Sequence, residues 1–280
     1  MFKKLTIFIF TLCYMQPIHA EDKSELAAET LKMPEPNVIG LVKTLNNMGY
    51  MVTKPDILIK RFIDYMGITK GRFLDVGAAF GEASIQALKA GASYGIANDI
   101  DEKQIKILEN RIDPELRSKM AFMPGSFPDK VTWPKDSDHL DGILIARVLH
   151  FFDGPQIERA LKISFEKLKP GGKIFILVSA PYVRQLEGLR KAMEEGKQKG
   201  EKWPGYTKNV WSFSPFMADI IQPEFHMLDF DVLSKAICET GFIMEYFEEI
   251  PLLEKSLEKV NSANGIEALA FIGRKPLNGM

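Results

Sequence analysis

Leu74-Asp75-Val76-Gly77-Ala78-Ala79-Phe80-Gly81 is the stretch whose reading decides the fold. It begins inside a short apolar run, Arg72 to Gly77, passes through a small-residue loop, and enters a helix expected from about Gly81 to Ala90. A strand that turns through glycine into a helix collects free backbone N–H groups at one point and lets a ligand approach the chain closely. A second short strand, Tyr94 to Ala97, runs into Asn98-Asp99. A carboxylate about twenty residues beyond the loop, at the carboxyl end of the second strand, is placed to bond a ribose diol. Asp99 fills that position, with Asp101 as the alternative if the strand ends later. The pair of features describes a nucleoside-containing ligand lying across the carboxyl edge of a doubly wound sheet.

The same rhythm extends in both directions. Upstream, Ile59, Phe62, Ile63 and Met66 recur with helical spacing from Asp56, and Gly67 is read as the stop. Downstream come a helix with Ile105, Leu108 and Ile112 on one face, a weak strand at Met120 to Met123, and a stronger one at Leu140 to Arg147. A helix follows from roughly Gly154 to Leu168, with Ile157, Leu161, Phe165 and Leu168 on one stripe. Lys169-Pro170-Gly171-Gly172 reads as a turn before a fifth strand, Lys173 to Ala180. Short apolar runs alternating with helices mean parallel strands covered on both faces. The expected fold is therefore α/β, a Rossmann-like, doubly wound and mostly parallel sheet of seven strands with helices on both faces.

Two regions depart from the rhythm. Residues 21–55, with Pro34 and Pro36, read as a loosely structured lead-in to a domain over 56–280. Residues 182–228 interrupt the pattern with a charged run at Arg190–Lys202 and then Trp203, Tyr206, Trp211, Phe213, Phe216 and Phe225. Long insertions in compact domains are commonly lids, so this one is expected to cover substrate. Its aromatic residues are candidates for a pocket lining, or else anchors of the insertion to its own domain. The pattern resumes with a helix at Phe230 to Gly241 and strands at Phe242 to Ile250 and Ile266 to Arg274.

Composition narrows the function. The 280 residues carry 36 Lys+Arg against 37 Asp+Glu, so no strong field points to nucleic acid as a partner. The hydrophobic fraction of 46% excludes disorder, and the length allows a large core. Met1-Phe2-Lys3-Lys4, the apolar run Leu5 to Met15 and the stretch ending at Ala20 match a signal peptide over residues 1–20. Spanning a bilayer takes about 20 apolar residues, so no stable membrane insertion is expected after cleavage. Export to the periplasm or beyond follows, with a cytoplasmic or inner-membrane-anchored protein as the alternative. Cleavage would leave Cys238 as the one cysteine and exclude an internal disulfide. No metal site is read in the chain.

The loop separates the nucleotide classes. A dinucleotide fingerprint requires Gly-x-Gly-x-x-Gly, and Ala79 and Glu82 occupy its second and third glycine positions. A phosphate-binding Walker loop is excluded because no Gly-Lys-Ser/Thr follows. Leu74 to Gly81 resembles the first motif of the class I S-adenosylmethionine-dependent methyltransferases, and Ile96-Ala97-Asn98-Asp99 resembles their second. Leu140 to Leu144 followed by Arg147-Val148-Leu149-His150-Phe151 resembles their fourth strand and its turn. Leu168 to Lys173 resembles the turn before their fifth. The likeness covers about residues 56–275 and departs at Ala79, where the family usually has glycine.

That resemblance implies S-adenosyl-L-methionine as cofactor and an antiparallel last strand. It places Asp75, Gly77 and Ala79 at the methionine part, Asp99 on the ribose and Ile100 against the adenine. Gly125, Ser126 and Phe127 would contact the adenine ring, and Arg147 would lie beside the methionine part. The implied activity is methyl transfer to a small-molecule acceptor. His150, after the fourth strand, is a candidate general base because its ordinary pKa is near neutral. Tyr182 and His226, flanking the insertion, are candidates to orient an acceptor. Two alternatives stand beside this reading: an exported, non-catalytic binding protein on a decayed methyltransferase scaffold, and a nicotinamide-dependent oxidoreductase.

Overall fold

The domain opens with a small hairpin, β1 (Leu41–Lys43) and β2 (Tyr50–Val52), paired antiparallel with Leu41 opposite Val52 and Lys43 opposite Tyr50. The computed structural model describes residues 31–37, 40–135, 137–251 and 262–277. Everything below belongs to the unit that runs from Met33 to Met280. The expected signal peptide, residues 1–20, lies outside the described residues. The lead-in expected to be loosely structured thus contains a hairpin. Its strands of three residues each are too short to show an alternating pattern.

Helix α1 (Ile57–Thr69) starts where the side chain of Asp56 accepts from the backbone N of Ile59 at 3.0 Å, a side-chain N-cap. It buries Leu58, Ile59, Phe62 and Met66. Gly67 does not end it; the helix closes at Lys70, which takes a left-handed φ of 47°. Gly67 serves close packing instead, because a Cβ there would stand 2.9 Å from the carbonyl O of Ala90.

Five parallel strands form the centre: β3 (Arg72–Val76), β4 (Tyr94–Asp99), β5 (Met120–Ser126), β7 (Leu140–Ala146) and β8 (Leu168–Ser179). Together with β6 (Lys130–Val131), β11 (Ile243–Pro251) and β12 (Ile266–Arg274) they give one sheet in the order β11-β12-β8-β7-β3-β4-β5-β6. As expected, the last strand, β12, runs antiparallel to its neighbours. The sheet has eight strands rather than seven, because the chain folds back after β5 and the two residues of β6 pair antiparallel with Gly125 and Ser126. The Lys169–Gly172 turn signal appears inside β8 as a register shift: Leu140 pairs Leu168, but Gly142 pairs Lys173.

Helices cover both faces. Leu74, Ile96, Ile143 and Ile176 point to a core shared with α4 (Gly154–Lys167) and α6 (Phe230–Glu239) through Leu161, Leu233 and Ile237. Phe73, Ala97, Leu144 and Phe175 point to the other core, shared with α1, α2 (Glu82–Lys89) and α3 (Glu102–Arg111) through Phe62, Ile85 and Leu108. The alternation of Phe73 and Leu74 between faces is the two-residue period of a strand buried on both sides.

Between β8 and α6 the chain forms α5 (Glu187–Gln198) and a two-strand pairing of β9 (Tyr206–Thr207) with β10 (Phe225–His226). These residues build a core of their own around Leu189, Met193, Val210 and Met227. The aromatic residues brace this region. Trp203 donates its Nε1–H to Glu158 of α4 at 2.8 Å, and Trp211 donates to the Ile221 carbonyl at 3.1 Å. No helix among the described residues is long and apolar enough to cross a membrane.

Candidate active site

The loop between β3 and α2 gathers left-handed residues: φ is 71° at Gly77, 48° at Ala79 and 80° at Gly81. Glycine adopts this region freely, whereas an alanine there is strained. Ala79 is held by a specific bond, its backbone N donating to Asp99 Oδ2 at 2.9 Å. Gly77 admits no side chain, since a Cβ would meet Val148 Cγ2 at 2.3 Å. The loop is fastened to the neighbouring strand by Ala78 N donating to the Asn98 carbonyl at 2.8 Å.

Asp99 ends β4 and is almost fully buried. Besides Ala79, its carboxylate accepts from the backbone N of Asp101 at 2.9 Å and from Gln104 Nε2 at 3.0 Å, both on Oδ1. A carboxylate has about four acceptor sites, so three fixed donors orient it and leave capacity for one more. Burial raises its pKa, and the three donors work against that rise. Asp101 serves the helix instead, its side chain accepting from Lys103 N at 2.9 Å and capping α3.

Asp75 lies one layer away, also buried, accepting from Ser84 Oγ at 2.6 Å. Burial, with a smaller contribution from the Asp99 charge, pushes its pKa up to about 7, while the Ser84 bond pulls it down. Asn98 joins the third strand end to the site, its Nδ2 donating to the carbonyls of Met123 at 2.7 Å and Gly125 at 2.9 Å. That places Gly125-Ser126-Phe127 beside the loop.

These groups open into a cleft at the carboxyl ends of β3, β4, β5 and β7. Asp75, Gly77 and Ala79 line it on one side, Asp99 and Ile100 beyond them, and Ser126, Phe127 and Arg147 complete the wall. With Gly125, which also lines it, all nine residues expected to face a nucleoside cofactor therefore meet at one surface. Arg147, with a left-handed φ of 59°, turns its Nη1 onto Asp56 Oδ2 at 2.9 Å, and Glu267 stands 3.7 Å from its Nη2.

The covering element is the hairpin. Thr44, Asn46, Met48, Tyr50, Met51 and Val52 all line the cavity, whereas no residue of 182–228 does. The hairpin turn is tied to the floor, Leu45 N donating to Gln104 Oε1 at 3.3 Å, and its stem runs into Asp56, the partner of Arg147. The insertion backs the hairpin from outside: Gln222 Nε2 donates to the Asn46 carbonyl at 3.0 Å, and Lys43 Nζ to the Asp219 carbonyl at 3.1 Å. Sequence reading missed the hairpin. Its available signal was Asn46-Asn47-Met48-Gly49, turn chemistry that the structure uses with φ of 55° at Asn47 and 93° at Gly49.

None of the three acceptor-side candidates reaches the cavity wall. His150 is buried with its ring against Phe151 at 4.3 Å and Phe225 at 5.4 Å, and its Nδ1 has no partner. Burial, helped by the charge of Arg147, drives its pKa down to about 3, so the ring is neutral. His226 is fully buried between Trp203 and Tyr206, with Nδ1 3.0 Å from the Phe152 carbonyl. Tyr182 donates to Glu249 at 3.4 Å, and burial followed by the Glu249 charge raises its pKa.

Comparison with known proteins agrees with this geometry. Residues 73–172 match the family model described as a methyltransferase domain. No curated protein matches the chain by sequence. Among solved structures, an S-adenosylmethionine-dependent methyltransferase from Mesorhizobium loti superposes with a TM-score of 0.54 at 17% identity, over 78% of this chain and 95% of its own. The Burkholderia thailandensis 1,6-didemethyltoxoflavin-N1-methyltransferase, with 1,6-didemethyltoxoflavin and S-adenosylhomocysteine bound, gives 0.52 at 15% identity, over 79% of each chain. A [4+2]-cyclase also gives 0.52, at 14% identity, over 79% of this chain and 81% of its own. The chain therefore carries a methyltransferase domain over residues 73–172, on the fold of S-adenosylmethionine-dependent methyltransferases.

Proposed function

We propose that this protein binds S-adenosylmethionine across the ends of β3, β4 and β5 and transfers its methyl group to a small-molecule acceptor. The observation that carries the reading is Asp99. Its carboxylate faces the cavity, is oriented by three donors, and stands beside a loop where a Cβ on Gly77 has no room. The residues fit the cofactor: Asp99 has a free acceptor site for a ribose hydroxyl, Ile100 and Phe127 offer apolar surface to a base, and Asp75 offers a carboxylate to an ammonium group. When bound, the sulfonium supplies an activated methyl group, and what remains for the protein is alignment of the two reactants.

The hairpin roof supports a small acceptor, because a chain-like or duplex substrate would have to displace it. The 1,6-didemethyltoxoflavin bound to the Burkholderia enzyme gives a precedent for such an acceptor on this fold. The fold also carries a cyclase, so binding and transfer need separate tests. Calorimetry against adenosylhomocysteine, with NAD as control, is expected to give micromolar binding of the first alone. NAD binding, or binding of neither, overturns the reading. Release of label from methyl-labelled cofactor onto an added acceptor separates a transferase from a scaffold that only binds. Export through residues 1–20 belongs to the same proposal; a mature chain beginning at Glu21 outside the cytosol supports it, and intact Met1 in the cytosol removes it.

A further inference from the structure

Two ties of the hairpin mark two ends of the cavity. The hairpin turn meets Gln104, which bonds Asp99, so the turn marks the ribose end. The hairpin stem leads to Asp56, which holds Arg147, so the stem marks the opposite end. Near Asp56 and Arg147 in the chain the lining includes Met51, Val52, Pro55, Ile59, Val148 and Phe151, all apolar, beside Arg147 itself. Among the described residues that line the cavity, each charged side chain is committed. Arg147 pairs with Asp56 at 2.9 Å, and Glu82 pairs with Arg111 at 2.9 Å. Asp75 and Asp99 lie in the nucleoside floor with their own donors. A charged acceptor in this end would lose its hydration with no counter-charge to replace it, which is costly. The carboxylates of the lining are engaged elsewhere, Glu82 by Arg111, Asp75 by Ser84 and Asp99 by its three donors, and His150 and His226 are absent from it.

Resting on the methyltransferase reading, we propose that the acceptor is an uncharged, mainly apolar molecule whose nucleophile already carries a free lone pair at neutral pH, such as a ring nitrogen of an aromatic heterocycle. That lone pair forms the bond to the methyl carbon while the carbon–sulfur bond breaks and its electron pair stays on sulfur. The positive charge passes from the sulfonium to the methylated nitrogen, and no proton has to be removed before the bond forms. An aliphatic alcohol, which needs deprotonation to attack, does not suit this wall. The hairpin supplies the discriminating surface, with Met51 as its central side chain.

The test uses the full-length protein saturated with adenosylhomocysteine, titrated with two matched sets. One is quinoline, a quinoline carboxylate and N-methylquinolinium; the other is benzimidazole, a benzimidazole carboxylate and dimethylbenzimidazolium. The neutral member of each set is expected to bind at least tenfold more tightly than either charged one. Met51→Asp, with adenosylhomocysteine saturation checked in the same titration, is expected to weaken the neutral compounds by at least tenfold. Equal or tighter binding of a charged member, no binding by either set, or neutral binding that ignores Met51→Asp overturns the proposal. The matched sets need no variant, so a misfolded one leaves the test intact. Failure of adenosylhomocysteine itself to bind would strike the methyltransferase reading instead, and the two failures are told apart in the first titration.

Discussion

The floor and the roof of the cavity are built by opposite means. The floor is made of strand ends and the loop after β3, and its polar groups hold one another: Asp99 fixes Ala79, Asp101 and Gln104, while Asn98 fixes the Met123 and Gly125 carbonyls. The roof is a pair of three-residue strands held down by contacts distant in sequence: Leu45 to Gln104, Asn46 to Gln222 and the Asp56–Arg147 pair. Isolated two-stranded hairpins are marginal in water, so this roof depends on those ties. The floor is therefore held by its own bonds, and the roof by its ties to other parts of the chain.

The strongest way to break that division is Asp99→Ala. It removes the ribose acceptor and leaves three oriented donors, two of them backbone, without a partner; each such buried loss costs about 1–3 kcal/mol. Adenosylhomocysteine affinity is expected to fall at least about a hundredfold, read by calorimetry, with a lower melting temperature. An affinity within threefold of the parent would mean that Asp99 is structural only and that the ribose lies elsewhere.

Next in size is a pH effect at the floor alone. The pKa of Asp75 is raised to about 7, chiefly by burial. A raised carboxylate pKa favours the free folded state below the unfolded value, and that contribution is lost as pH rises through about 7. A ligand ammonium group needs the ionised form, so adenosylhomocysteine affinity is expected to weaken toward tenfold per pH unit below about pH 7 and to level off above it. Asp75→Asn should flatten that slope. The neighbours that set it are Ser84 and Asp99, and an unchanged slope in the variant would assign it to another group.

A smaller effect probes the tie between the two regions. Gln104→Ala removes the donor to Asp99 and the acceptor for Leu45 N together. A loss of about tenfold in affinity is expected, on the order of one net hydrogen bond to a charged group. Amide exchange across residues 41–52 should rise at the same time. Weaker binding with no change in hairpin exchange would show that the roof is held by Gln222 and Arg147 without Gln104.

The contrast also explains what could be read from the sequence. The floor is local: a strand, its loop and the next helix occupy consecutive residues, so the placing of Asp75, Gly77, Asp99 and Arg147 at strand ends is legible, and with it a mostly parallel sheet, though not the strand order. The roof is not local. Nothing in Leu41–Lys43 or Tyr50–Val52 reports that Gln104 or Gln222 will meet it, and three residues show no periodicity. For the aromatic residues of the insertion the sequence leaves a pocket lining and an anchor both open, and packing decides for the anchor: Trp203 is used on Glu158 and Trp211 on Ile221. His150 was plausible by position after β7, yet only packing could show its ring closed off by Phe151 and Phe225.

Ala79 gives the finest probe of the floor. The resemblance puts a glycine at this position, and the structure shows why: φ is 48°, a region where a Cβ crowds the following carbonyl at about 1–2 kcal/mol. Ala79→Gly relieves that strain but adds conformational freedom to the unfolded chain, which opposes it by about 0.4–1 kcal/mol. The difference favours the glycine by roughly 0.5 kcal/mol, a rise of a few degrees at most in melting temperature. Affinity for adenosylhomocysteine should stay within about threefold, because the group that Ala79 presents to Asp99 is its backbone N–H, which glycine keeps. A loss of stability would mean that the methyl group packs usefully against the floor. A large gain in affinity would mean instead that the methyl group intrudes on the ligand, and that the alanine restricts what this site can bind.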